Sequence, residues 1–128
     1  MNRHIALGLT LVAGISIGAF AVHSLHAQAK PPIYYISEID ATNLDGYIKE
    51  YAPVVQASIK ASGGRQLAGG QNVVSYEGAP PTKRVAVTVW DSAEQIQAWR
   101  NSAAYKQARE IGNKHAKFRS FSVEGVPQ

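Results

Sequence analysis

His115, Glu38 and Arg65 are the residues with which this chain could do chemistry, and they call for different roles. His115 is the one imidazole beyond residue 29. It is therefore the one side chain there with an unperturbed pKa near neutrality, and the first candidate for a general base. It also lies between Lys114 and Lys117 near a predicted helix end, where a cation simply complements the helix dipole. Glu38 and Asp40 share one face of a predicted strand, so mutual repulsion would raise one carboxyl toward acid/base work. A strand end reaching solvent accounts for the same pair. Arg65 follows Gly63-Gly64 at a strand start and offers a planar fork to a ligand carboxylate, unless Glu38, Asp40 or Glu77 takes it within the chain. Tyr35, Tyr47, Tyr51, Trp90, Trp99 and Tyr105 either line a pocket for a flat ligand or make the core. Of these, Tyr35, Trp99 and Tyr105 join Arg65 as ligand-binding candidates.

Other chemistries lack their residues. The chain has no cysteine, and His23 and His26 fall within the first 29 residues, so no metal site is expected. No cofactor is expected either. The paired glycines do not form a phosphate-binding loop or a dinucleotide fingerprint, and no serine sits in a nucleophile elbow. Arg100, Lys106, Arg109, Lys114, Lys117 and Arg119 make a basic stretch opposed only by Glu110. Without interleaved aromatics it reads as a solvated helix face and exit loop, and no nucleic-acid partner is expected.

Positioning these side chains falls to elements that the pattern marks out. Ile33 to Asp40 is a β-branched and aromatic strand after the stiff Pro31-Pro32. Thr42 to Asp45 has capping-box spacing and opens a helix. Leu44, Tyr47, Ile48, Tyr51, Val55 and Ile59 recur at three- and four-residue steps and predict its buried face. Pro53 predicts a kink or two abutting pieces near Ala52, and Gly63-Gly64 a left-handed end. Arg65–Ala68 and Val73–Tyr76 read as halves of one strand bent at Gly69-Gly70. Arg84 to Trp90 is the clearest strand, with Val85, Val87 and Val89 on one side and Ala86, Thr88 and Trp90 on the other. Ser92 to Gln95 caps a helix bearing Ile96 and Trp99. A further helix follows from about Ala103 to Lys114, and Phe118 to Val123 closes the domain.

Strand, helix, strand, strand, helix, strand is the order of an α+β, ferredoxin-like unit with an antiparallel sheet and helices on one face only. The face bearing Ala86, Thr88 and Trp90 is expected to lie away from the helices and to be covered by a twofold partner, giving a homodimer built as a dimeric α+β barrel. Gly63-Gly64-Arg65, Gly69-Gly70, Arg84-Val85-Ala86-Val87, Ala98-Trp99, Tyr105-Lys106 and Val123-Glu124-Gly125-Val126 together resemble the domain-of-unknown-function family numbered 1330, in the dimeric α/β barrel superfamily. Ser102-Ala103-Ala104-Tyr105 departs from that family's Ser-Pro-Glu-Tyr. The resemblance implies the fold and the dimer and no common reaction. Similarity to the superfamily implies a cofactor-independent enzyme or binder for a small aromatic or carboxylated metabolite. A noncatalytic module for structure or partner binding is the alternative.

The first 29 residues give an address. Arg3, an uncharged run from Ile5 to Val22 and Ala27-Gln28-Ala29 form an export signal, which leaves 30–128 as one domain working outside the cytoplasm, periplasmic or secreted. The run approaches the ~20 residues that span a bilayer, and Gly14 to Gly18 fits a helix-pairing motif, so an uncleaved membrane anchor is the competing reading. Cleavage leaves 12 basic and 9 acidic residues on a chain short enough to favour association. Intact-mass analysis of the extracytoplasmic product is expected to show a chain starting at Lys30. A full-length species released only by detergent would show the anchor.

Overall fold

Extended backbone suits β-branched and aromatic residues, and the run after Pro32 forms strand β1 (Ile33–Ala41). The computed structural model describes residues 30–128, so the export or anchor segment lies outside the described residues. A short helix α1 (Leu44–Gly46) runs through a π-helical stretch (Tyr47–Tyr51) into α2 (Ala52–Ala61). Then come β2 (Arg65–Gly70), β3 (Arg84–Trp90), α3 (Ala93–Asn101), α4 (Ala103–Asn113) and β4 (Ala116–Glu124). The four strands form one antiparallel sheet in the order β2-β3-β1-β4, the ferredoxin-like arrangement that the element order predicts. Among the described residues no helix is long and apolar enough to cross a membrane.

Several local expectations need correction. Asn43 rather than Thr42 caps α1, its side chain accepting the Gly46 N–H at 3.2 Å, while the Thr42 hydroxyl donates to the His115 carbonyl. Pro53 has no N–H to return to Lys49, and the helix absorbs the loss by widening: Ala52 N–H reaches back to the Tyr47 carbonyl, five residues away. That widening yields the two abutting pieces expected near Ala52. It also adds a residue to the turn and rotates the buried face, so Tyr47, Tyr51 and Val55 point inward while Leu44 and Ile48 are exposed. The α2 end closes with Gly64 N–H on the Ile59 carbonyl and Gly63 N–H on that of Lys60. Val73–Tyr76 is not a strand: Gly70, at φ +133°, turns the chain off the sheet, and Tyr76 is left 91% exposed. The register irregularity falls between Gln66 and Ala68, ahead of the glycine pair.

The largest correction concerns the two faces of the sheet. Tyr35, Ser37 and Ile39 of β1 stand beside Thr88, Ala86 and Arg84 of β3, and this is the side that the helices cover. Trp90, 1% exposed, packs here against Trp99 with ring centroids 5.0 Å apart. Its indole N–H donates to Thr88 Oγ1 at 2.9 Å, and the Thr88 hydroxyl donates onward to the Tyr35 carbonyl. Gly64 makes the room, because a Cβ there would stand 2.6 Å from the indole ring. A side chain of this volume needs the depth of the helix layer. The open face is therefore the other one, with Tyr34, Ile36 and Glu38 on β1, Val85, Val87 and Val89 on β3, and Arg119, Phe121 and Val123 on β4. The β2–β3 connection curls beside it and frames a groove of 620 Å³ with Ile36, Val87 and Phe121 on its floor.

Thr88→Val keeps the shape but orphans the Trp90 N–H, and is expected to cost about 1–3 kcal/mol in a urea unfolding experiment. An unchanged midpoint would show that the Thr88–Trp90 pair does not hold the core.

Candidate functional site

The aromatic candidates meet at the outer end of the helix-covered side. Ser102 does much of the placing: its hydroxyl donates to the Trp99 carbonyl at 2.6 Å, ending α3, and accepts the Tyr105 N–H at 3.2 Å, starting α4. Tyr35 and Trp99 meet edge-on at 5.4 Å, and Trp99 lies 4.5 Å from the Tyr105 ring. Trp99 is held from behind by its N–H on Ser58 Oγ. Arg100 crosses over this cluster. One of its nitrogens donates to the Tyr35 hydroxyl at 2.6 Å and to the Tyr105 hydroxyl at 3.2 Å. Since both oxygens act as acceptors, neither O–H proton is spent on Arg100.

Beside Arg100 opens a cleft of 310 Å³ lined by Tyr35, Ile96, Arg100, Arg109, Phe118 and Ser120, among others. The Arg109 guanidinium lies over the Phe118 ring, 3.8 Å from its centroid, with its Nε–H on Asn113. The ion pairs among the described residues are Lys49–Asp45, His115–Glu50 and Arg119–Glu38; neither Arg100 nor Arg109 is in one. Deeper in, a chamber of 50 Å³ shares Tyr35, Arg109 and Ser120 with the cleft and is walled by Tyr47, Tyr51, Trp99 and Tyr105. An apolar cavity that takes benzene measures about 150 Å³. The space expected between sheet and helices is thus filled by the aromatic side chains themselves, and room for an organic molecule lies in the outer cleft. Burial pushes the Tyr51 hydroxyl well above its ordinary range, helped by the neighbouring Tyr47 and Tyr105. Burial also raises Tyr47, against the pull of Arg84.

The other sequence candidates are placed apart from this cleft. His115 knots the α4–β4 turn to the start of α1: its Nε2 meets a Glu50 carboxylate oxygen at 2.5 Å, and its Nδ1 lies 3.2 Å from Asn43 Nδ2. Asn43 Oδ1 is already committed to the helix cap, so its amide nitrogen must face the ring. Nδ1 is then an acceptor, and the Nε2–H donates to Glu50. Glu38 sits on the open face, nearly buried, with its carboxylate 2.8 Å from an Arg119 nitrogen; that partner replaces the pairing with Arg65 that spacing allowed. Arg65 is exposed on edge strand β2 opposite Val89, outside the cleft and outside the ion pairs named above. Among the described residues no group of three or more His, Cys, Asp or Glu side chains gathers as a metal would require.

Sequence reasoning assigned Arg100 and Arg109 to a solvated basic face. A signal existed: Arg109 stands four residues after Tyr105 on one helix face, and Arg100 directly follows the inward Trp99.

An antiparallel sheet roofed on one side by paired helices, with an open cleft at one edge, defines an α+β domain of the ferredoxin-like class. The chain belongs to the family described as a domain of unknown function, DUF1330, whose pattern matches residues 32–126. No curated protein sequence matches it significantly. Its fold is similar to that of a protein of unknown function from Rhodopseudomonas palustris, at TM-score 0.63 and 13% identity over 85% of this chain and 92% of that one. A Bacteroides thetaiotaomicron protein of unknown function, described as a possible oxidoreductase, matches at 0.54 and 19%, over 76% of this chain and all of its own. SnoaB, a cofactor-independent oxygenase from Streptomyces nogalater, matches at 0.56 and 6%, over 77% and 96%.

The raised tyrosines set a pH dependence. Above the ordinary tyrosine value of 10.0 the unfolded chain ionises Tyr47 and Tyr51 while the folded one keeps them neutral. The unfolded state then binds fewer protons, so stability holds below that pH and falls above it. Urea midpoints measured from about pH 7 to about pH 11 should show this decline, and Tyr51→Phe should flatten it.

Proposed function

We propose that this is an exported, homodimeric barrel domain that binds a small organic ligand in the cleft beside Arg100. The convergence of Tyr35, Trp99 and Tyr105 around Arg100, at an opening of 310 Å³, carries the reading. That volume is at the lower end of ligand pockets, which run from about 300 to 1,000 Å³. The cleft lining is rich in donors and contains neither carboxylate nor imidazole. Binding is therefore supported ahead of proton transfer by His115 or Glu38, both engaged elsewhere. Cofactor-independent turnover is the enzymatic form of the reading, and the oxygenase of like fold from Streptomyces nogalater is its support.

The open sheet face supports the dimer. Ile36, Val87, Phe121 and Val123 form an apolar field there, and Phe121 and Val123 are largely exposed. A second sheet laid across it would remove this field from water, at roughly 800 Å² per partner for an interface of ordinary size. In that setting Arg65, Glu38 and Arg119 belong to the interface side of the molecule.

Light scattering should report a dimer for the wild-type protein and a folded monomer for Val87→Lys. A wild-type monomer at micromolar concentration would remove the barrel. A thermal-shift panel of carboxylates, phenols and neutral aromatics should give at least one stabilising ligand, because binding to the folded state alone raises the melting temperature. That stabilisation should be lost in Arg100→Met. A ligand that stabilises Arg100→Met equally would place its site elsewhere.

A further inference from the structure

Arg100 and Arg109 bring two permanent charges to the lining of one cleft, and among the described residues neither is in an ion pair. We infer that the ligand of this cleft is a small carboxylate of about one ring's size, its anionic end facing these two guanidiniums. The inference rests on the cleft being the binding site and adds the chemical class of what enters it.

Three observations carry it. First, each guanidinium is fixed and keeps donors to spare. Arg100 is pinned by one nitrogen to two tyrosine oxygens, and Arg109 is stacked on Phe118 and tied through Nε alone. A fork held this way loses little freedom on meeting a planar carboxylate. Second, the remaining polar groups of the cleft and its inner wall are uncharged donors: the hydroxyls of Tyr35, Ser120 and Ser122 and the Gln97 amide, with Tyr105 under Arg100. They donate to an anion and hold no charge against it. Third, the depth is limited. The 50 Å³ chamber behind Tyr35 admits no ring, so the ligand stays in the outer cleft of 310 Å³.

The test is calorimetric titration of the protein with benzoate and with benzamide, its neutral isostere, in the wild type, Arg100→Met, Arg109→Met and Arg109→Lys, with circular dichroism confirming each fold. Wild type should bind benzoate at least tenfold more tightly than benzamide. Each Met variant should weaken benzoate about ten- to a hundredfold, the range of one charge-assisted contact, and weaken benzamide less, so that the preference for benzoate over benzamide shrinks. Arg109→Lys, which keeps the charge and loses the fork, should fall between and serves if Arg109→Met is unstable. Raising salt from about 0.05 to about 0.5 M should weaken benzoate alone. Equal affinity for benzoate and benzamide would overturn the carboxylate inference and leave the cleft as a neutral-ligand site. Benzoate binding untouched by any of the arginine changes would overturn it too. Absence of benzoate binding at millimolar concentration, with a neutral compound still stabilising the protein through Arg100, would reject the class but keep the site. Silence from every compound would end both.

Discussion

One constraint organises this molecule: its helices cover a single face of a four-stranded sheet. Because strand side chains alternate, that choice sorts every residue of β1, β3 and β4 into core or open face at once. Trp90 and Trp99 enforce the choice. Trp90 is large enough to require the helix layer, its N–H is satisfied only through Thr88, and Trp99 stacks on it from α3. Slipping β3 by one residue would bring Val85, Val87 and Val89 under the helices and expose the tryptophan.

The same sorting separates the molecule's polar residues by task. On the helix side the hydroxyls of Tyr35, Thr88, Ser58 and Ser102 each hold an aromatic residue or an arginine in place. At the far end of the helices, His115, Asn43 and Glu50 fasten the α4–β4 turn to α1. The ring packs so close to Gly46 that a Cβ there would stand 2.5 Å from it. On the open face Glu38 and Arg119 neutralise each other beside an apolar field. An ion pair in that position is compatible with covering by a second copy, since neither charge would be buried alone.

Much of this was legible in the chain. The run Arg84–Trp90 forms β3 at the limits its β-branched residues indicate, and Ser92 caps α3 as its spacing with Gln95 indicates. The faces of β3 were not legible, because both carry apolar groups and alternation alone does not say which meets the helices. Volume was the missed cue, with Trp90 on one side and only valines on the other. Tyr35, Trp99 and Tyr105 were recognisable as inward aromatics and do converge. Arg100 was not recognisable as their partner, since a cation on an amphipathic helix usually faces water. Its role depends on Tyr35, 65 residues away in the chain, and only tertiary contact makes that visible. Arg65 drew notice through its glycine neighbours, yet edge strand β2 carries it away from the cleft.

We propose that ligand space lies on the helix side, at the β4 edge beside Arg100, rather than in the open-face groove. Intermolecular nuclear Overhauser effects between bound benzoate and the protein test it most directly. Contacts from the benzoate ring to Tyr35, Ile96 and Phe118 are predicted. Contacts to Ile36, Val85 and Val87 instead would contradict the account and move the site to the opposite face of the sheet.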